Sequence, residues 1–132
     1  MSKFPFNSRD IPPMPVLEVV FISSEFGHTS DVLIATIDTG ADASFVPVEL
    51  LEQIYAPVGK ARYAKSLWGE RQEFTTFVVD VRIGDITFPG VQVVGYDGDA
   101  IIIGRDILNK LRLLLDGPAQ TTEILETKSK RK

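Results

Sequence analysis

The chain is organised around the segment Ile37-Asp38-Thr39-Gly40-Ala41-Asp42-Ala43-Ser44. The apolar, largely β-branched run 32–37 leads into it and predicts a buried strand. An acid where a strand leaves the core is costly unless it is hydrogen-bonded, paired or protonated. Gly40 lets the backbone turn and lets another chain approach closely, and Thr39 offers a hydroxyl beside the acid. The sequence therefore predicts a positioned carboxyl group, that of Asp38, at the end of a strand.

A second segment, residues 101–108, has the sequence Ile-Ile-Ile-Gly-Arg-Asp-Ile-Leu. Together with residues 35–46, it resembles the retropepsin-like family, the retroviral-type, single-domain aspartic proteases. Residues 35–46 are similar to the family's active-site segment, with Asp38-Thr39-Gly40 as the catalytic triplet, and residues 101–108 resemble the apolar run and Gly-Arg-Asp element near the end of the family's domain. The triplet alone is a weak signal for the family, since three residues recur by chance. The presence of both segments in one short chain is a specific signal. The resemblance covers residues 17–117.

The resemblance implies an aspartic endopeptidase that acts on peptides or proteins. Peptide hydrolysis without a metal or a covalent nucleophile needs an activated water and a proton donor. Two facing carboxyl groups that share one proton provide both, one as base and the other as acid. The chain has one Asp-Thr-Gly and, at 132 residues, no room for a second lobe. We therefore expect a homodimer with two-fold symmetry, in which each subunit contributes Asp38.

Neighbouring residues are expected to support this site. The resemblance implies that Thr39 bonds across the dimer axis and that Gly40 and Asp42 contact the substrate backbone. It also implies an ion pair between Asp42 and Arg105 behind the site, and a structural role for the Ser44 hydroxyl. The residues expected to support the site are Thr39, Gly40, Ala41, Asp42, Gly104 and Arg105.

A hairpin is expected to cover the site. Residues 60–67 and 70–83 predict two strands, with Trp68-Gly69 at the tip. The resemblance implies that this hairpin is a flap that closes over a bound peptide, with Trp68 and Gly69 in contact with substrate. The alternative for Trp68 is an ordinary core or surface aromatic residue. The family's usual flap is richer in glycine.

Many short strands and little helix predict an all-β domain. The resemblance implies a closed β-barrel of the acid-protease type, with short helices expected at 45–54 and 106–111. We expect a flexible, proline-rich arm at 1–15, the protease domain at 16–126 and a basic tail at 127–132. The other predicted strands are 15–22, 86–88, 91–94, 101–103, 113–115 and 121–125. Pro89-Gly90, between the strands at 86–88 and 91–94, suggests a bulge or a sheet edge.

Composition restricts the alternatives. The absence of cysteine excludes disulfides, a thiol nucleophile and thiolate metal sites, and fits a reducing compartment. Triad and histidine-rich metal chemistries need further residues of matching type around a histidine, and the sequence shows no such set near His28, the only one. We therefore expect a surface histidine, no metal and no cofactor. The net charge of −4 argues against nucleic-acid binding by the domain. We expect the basic residues 128–132 to form a solvated tail, with a docking or nucleic-acid tag as the alternative.

The expected location is cytoplasmic. No apolar run is long enough to span a membrane, and residues 1–7 contain no apolar signal core. We therefore expect no membrane partner.

Two functions of other classes compete with the protease. One is a non-catalytic dimerisation or adaptor domain on the same fold, because a fold does not guarantee activity. Loss of Asp38 would mark it, and Asp38 is present. The other is a small-ligand β-barrel carrier, which would leave the joint presence of Asp-Thr-Gly and Gly-Arg-Asp unexplained.

Overall fold

Strands dominate the chain. A computed structural model describes residues 2–23, 25, 27–65 and 69–126. These residues contain the short helices α1 (Val48–Gln53) and α2 (Arg105–Leu108) and eleven strands, so the predicted all-β fold is confirmed. The strands are β1 (Lys3–Pro5), β2 (Val16–Ser23), β3 (His28–Thr29), β4 (Leu33–Ile37), β5 (Phe45–Pro47), β6 (Val58–Lys65), β7 (Arg71–Ile83), β8 (Ile86–Tyr96), β9 (Ile101–Ile103), β10 (Leu113–Asp116) and β11 (Thr121–Ile124).

Six of the strands close into a barrel. Their order is β2-β4-β9-β5-β8-β7, and β7 returns to β2 through pairs from Val19↔Ile83 to Ile22↔Asp80. The pairs β4–β9 and β5–β8 are parallel, and the others in the ring are antiparallel. Closure removes the exposed edges that an open sheet would present. The closed barrel implied by the resemblance is therefore confirmed.

The barrel is filled by the apolar residues of these strands. In β2, Leu17, Val19 and Phe21 are fully buried, and Val16 and Val20 on the opposite face are buried as well. A strand covered on both faces has a nearly continuous apolar sequence rather than an alternating one. Burying one such side chain contributes about 1.5–3 kcal/mol. Because the strands are held by this core, the loops that begin at their ends have fixed starting points.

A separate three-stranded sheet joins the two ends of the chain. Its order is β1-β11-β10, and both pairings are antiparallel. The segment expected to be an irregular arm thus contains a strand, because β1 pairs with β11 and Phe4 buries its ring against the core. Three residues are too few for a recognisable period in the sequence. The boundary between arm and domain stays a prediction.

Both predicted helices are present, but each begins and ends at residues other than those expected. Residues 45–47 form β5, parallel to β8, and α1 begins only at Val48. The second helix starts one residue earlier than expected, at Arg105, and ends at Leu108. Tertiary strand pairing at Phe45 overrides the local helical pattern.

The strand pair β7–β8 contains the irregularity predicted at Pro89-Gly90. The two predicted segments form the single strand β8, and its register with β7 shifts between Val79 and Val81. Gly90 has φ +63° and donates its N–H to Asp80 Oδ1 at 2.9 Å. Glycine adopts this left-handed conformation without strain.

The predicted hairpin is formed by β6 and β7, which pair antiparallel from Lys65↔Arg71 inward. Trp68 and the tail 127–132 lie outside the described residues. No helix in the described part of the chain is long and apolar enough to cross a membrane.

Candidate active site

Asp38 lies directly after β4, at the end of the strand as predicted. The parallel pairing of β4 with β9 places Ile37 opposite Ile103, and the Asp38 N–H donates to the carbonyl of Ile103 at 3.0 Å. The Asp38 side chain is exposed, and its Oδ1 accepts the N–H of Gly40 at 2.9 Å. The backbone of Asp38 is thus anchored to β9, and its side-chain carboxyl is oriented by one hydrogen bond and exposed to solvent.

Gly40 fits this arrangement because it has no side chain. A Cβ at this position would lie 3.3 Å from Asp38 Oδ1, the atom that accepts the glycine's own N–H. The turn is closed by a further hydrogen bond, from the N–H of Ala41 to the carbonyl of Asp38 at 3.2 Å. The Asp-Thr-Gly segment is therefore a tight turn that points one carboxylate oxygen at its own backbone.

The Gly104-Arg105 segment packs against this turn. A Cβ on Gly104 would lie 2.3 Å from the carbonyl oxygen of Ala43, so only glycine allows the two backbones to approach this closely. The N–H of Arg105 donates to the carbonyl of Ala41 at 2.8 Å, and its Nη1 donates to the carbonyl of Thr39 at 2.8 Å. The two segments singled out in the sequence thus form one structural unit.

A buried serine joins the same two segments. Ser44 is fully buried, and its hydroxyl donates to Asp106 Oδ1 at 2.7 Å and accepts the N–H of Gly104 at 3.0 Å. The Ser44 N–H also donates to Asp106 Oδ2 at 3.2 Å. These hydrogen bonds are a physical basis for the structural role expected of the Ser44 hydroxyl. Its partner Asp106 was not predicted from the sequence.

The predicted ion pair between Asp42 and Arg105 is not formed in this structure. Arg105 is directed at the Thr39 carbonyl, and Asp42 lies 3.5 Å from Arg62 Nη2 instead. Arg62 is on β6, the first strand of the predicted flap hairpin, so this contact joins the hairpin to the site loop. No local pattern in the sequence identified Arg62, because β6 and the loop become neighbours only when the barrel closes.

The remaining predicted residues lie at the surface. Gly69 is exposed and has φ +86°, and nothing lies within 4 Å of where its Cβ would be. His28 is exposed, and its ring lies 5.0 Å from that of Tyr55. Thr39 is also exposed, and its expected bond across a dimer axis stays a prediction. Within the described residues, no three side chains of histidine, cysteine, aspartate or glutamate are grouped to hold a metal ion.

Two solved structures are similar to this chain. EIAV protease, in complex with the inhibitor HBY-793, aligns with a TM-score of 0.54 at 20% identity, over 74% of this chain and 86% of that one. A retropepsin-like aspartic protease from Rickettsia conorii aligns with a TM-score of 0.48 at 18% identity, over 83% of this chain and 90% of that one. The first likeness supports the retropepsin-like fold.

The sequence comparisons agree with the fold. We find no curated protein whose sequence matches this one. Residues 27–107, more than half of the chain, match the family described as aspartyl protease. This range contains the Asp-Thr-Gly turn, both strands of the hairpin and the Gly-Arg-Asp segment. The chain belongs to the aspartyl protease family.

Proposed function

We propose that the protein is an aspartic endopeptidase with an active site built from two Asp38 carboxyl groups, one from each subunit of a homodimer. The observation that carries the proposal is the exposed Asp38 carboxyl on a turn that the Gly104-Arg105 segment supports from behind. Membership in the aspartyl protease family supports the same chemistry.

The reaction uses the two carboxyl groups in different protonation states. The ionised one takes a proton from a water molecule, whose oxygen attacks the scissile carbonyl carbon, while the protonated one gives its proton to the carbonyl oxygen. The tetrahedral intermediate then collapses: the carboxyl that took the water's proton gives it to the amide nitrogen, the other carboxylate takes a proton from a hydroxyl of the intermediate, and the C–N bond breaks. The products are a carboxylic acid and an amine, and the pair returns to its starting state.

The second carboxyl comes from a second copy of the chain. The sequence holds a single Asp-Thr-Gly, and the six-stranded barrel described above is one lobe. Two facing acids share one proton because like charges at contact distance do not both ionise. A two-fold axis beside the Asp38 turn would bring the two carboxyl groups together and set Thr39 of each chain against its partner.

The substrate is an extended peptide bound between the turn and the β6–β7 hairpin. Gly40 and Asp42 on the turn side, and Trp68 and Gly69 on the hairpin side, are the proposed contacts. The contact of Asp42 with Arg62 supports this arrangement, since it lies between the same two elements. A hairpin that closes over the peptide would exclude water other than the attacking molecule.

Peptide hydrolysis by Asp38→Asn tests the proposal. The amide has nearly the shape of the acid but does not share the proton, so we expect turnover to fall about 100-fold or more. Asp31→Asn is the matched control, because Asp31 is also an exposed aspartate but lies at the opposite end of β4. Cleavage of a diverse peptide mixture, read by mass spectrometry between acidic and neutral pH, gives the measurement.

Two outcomes would contradict the proposal. Turnover of Asp38→Asn equal to that of the Asp31→Asn control would remove Asp38 from the chemistry. A wild-type protein that dimerises but cleaves nothing would favour the non-catalytic dimerisation domain.

A further inference from the structure

The β6–β7 hairpin turns one of its two faces toward the site segment, residues 37–44. Arg62 of β6 lies directly opposite Phe74 of β7, and residues paired in this way share one face of the hairpin. The ring of Phe74 lies 6.1 Å from that of Phe45, in an edge-to-face contact, and Phe45 directly follows the site segment. Arg62 and Phe74 therefore lie on the inner face of the hairpin, which a peptide bound beneath it would meet.

The outer face of the hairpin carries a cation of its own. Tyr63 follows Arg62 in β6, so its side chain points to the opposite face. There the guanidinium of Arg71 lies 4.5 Å from the centre of the Tyr63 ring, and the Tyr63 hydroxyl donates to Glu73 Oε2 at 3.4 Å. The hairpin thus has two arginines of equal charge, one on each face.

On the inner face, Arg62 meets the site through Asp42. Its Nη2 lies 3.5 Å from Asp42 Oδ2, and in the described part of the chain it pairs with no other acid. Two atoms at this distance are in contact, whereas an extended chain needs about 4.7–4.9 Å on each side. A peptide that runs between the turn and the hairpin therefore separates the two side chains. The separation is easy because ion pairs between exposed side chains are weak, and 41% of Arg62 and 72% of Asp42 are exposed.

We propose that Arg62 is a specificity-determining residue, which selects peptides with an acidic side chain where the substrate passes between Asp42 and the hairpin. This inference rests on the proposed function, and it names the substrate class of the same site. Once a peptide is bound, Asp42 accepts one of its backbone N–H groups, and Arg62 loses the carboxylate with which it pairs in the free protein. A glutamate or aspartate side chain of the substrate replaces that carboxylate.

The guanidinium group of Arg62 is suited to a substrate carboxylate. Its planar fork donates two parallel N–H bonds to the two oxygens of one carboxylate, and such charged hydrogen bonds are about twice as strong as those between neutral groups. A hairpin that covers the peptide also removes water from around the arginine, which strengthens the attraction. A glutamine of the substrate has nearly the shape of glutamate but no charge, so it should be bound less well at this position.

Charge reversal at each of the two arginines tests the inference. Wild type, Arg62→Glu and Arg71→Glu are given the same mixture of random peptides, and mass spectrometry identifies the residues around each cleaved bond. At a fixed distance from that bond, wild type should prefer glutamate over glutamine by about threefold or more. Arg62→Glu should lose this preference and favour lysine there. Arg71→Glu changes the net charge equally but on the outer face, so its preference should equal that of wild type.

Kinetics with two peptides distinguish selectivity from a general loss of structure. The peptides are identical except for glutamate or glutamine at the selected position. Arg62→Gln should raise KM for the glutamate peptide, relative to KM for the glutamine peptide, by about threefold or more, because only the glutamate peptide loses a charged partner. Arg62→Lys keeps the positive charge and should restore part of the preference. A variant that merely unfolds would lose turnover of both peptides alike.

The inference is overturned if wild type does not prefer glutamate, or if Arg62→Glu and Arg71→Glu have the same preference. Either result leaves the proposed protease intact, because peptides are still cleaved. If nothing is cleaved, the peptides retained by immobilised wild type and immobilised Arg62→Glu are compared in the same way. Acidic peptides retained by wild type alone would support the selection and refute only the proposed chemistry. Equal retention by the two proteins, or no retention, would overturn the selection as well.

Discussion

The carboxylate of Asp106 accepts two hydrogen bonds from Ser44, one from its hydroxyl at 2.7 Å and one from its backbone N–H at 3.2 Å. The same hydroxyl accepts the N–H of Gly104 at 3.0 Å. Ser44 is the last residue of the site segment, and Asp106 lies in the first turn of α2. A fully buried hydroxyl thus joins the loop that carries Asp38 to the segment that supports it.

Ser44→Ala should destabilise the protein. It removes the donor to Asp106 and leaves the buried N–H of Gly104 without its acceptor, at a cost of about 1–3 kcal/mol. Thr122→Val is the matched control, because Thr122 Oγ1 is buried without a hydrogen-bond partner in the described part of the chain. Its removal should be neutral or stabilising. Urea unfolding measures both, and equal losses in the two variants would show that the Ser44 hydroxyl has no special role.

Gly104→Ala should disrupt the site more than any other glycine-to-alanine change in this region. The new Cβ would meet the backbone of Ala43 at 2.3 Å, and backbone has little freedom to move away. We expect the free energy of unfolding to fall by several kcal/mol if both segments keep their positions. The loss should be about 1–3 kcal/mol if the segments move apart to make room for the Cβ. Gly117→Ala is the control, since nothing lies within 4 Å of its Cβ. Thermal unfolding gives the comparison, and similar midpoints would contradict the close packing of the two segments.

Arg105→Lys should lower peptide turnover about tenfold or more, with little effect on the free energy of unfolding. Lysine keeps the charge but loses the planar group that reaches the Thr39 carbonyl, and small displacements of a catalytic group reduce the rate strongly. Arg82→Lys is the matched control, because Arg82 is an exposed arginine of β7 that lies opposite Val20 of β2 and belongs to neither site segment. Equal turnover of the two variants would count against a positioning role for Arg105.

The sequence predicted the parts of the fold that depend on local pattern. The apolar runs at 32–37 and 101–103 became β4 and β9, and the strand predicted at 70–83 became β7. The expectation that the first of these strands is buried was wrong, because only Ala35 of β4 is buried, and Val32 and Ile34 are 64% and 54% exposed. The Pro89-Gly90 bulge followed from the chemistry of those two residues. The strand β1 was missed because it is only three residues long and is stabilised by pairing with the far end of the chain.

In the site, too, features that depend on local sequence could be predicted, whereas a contact that depends on the closed fold could not. The position of Asp38 at a strand end and the turn at Gly40 could be predicted from the residues, and the resemblance placed Gly104 among the residues that support the site. The partner of Asp42 could not, because Arg105 and Arg62 are both arginines at long sequence distance and only the closed barrel decides between them. Long-range pairing of charged side chains leaves no period in the sequence.

Mixing wild type with Asp38→Asn tests whether two chains share each site. Under conditions that let subunits exchange, mixed dimers hold one carboxyl group, which does not supply both the base and the acid, so they should be inactive. Activity at fixed total protein should fall as the square of the wild-type fraction, to about one quarter at equal amounts, because that is the statistical share of wild-type dimers under closed two-fold pairing. Exchange is checked separately with differently tagged chains. If exchange is complete and activity instead follows the wild-type fraction linearly, each chain cleaves alone and the shared site is refuted.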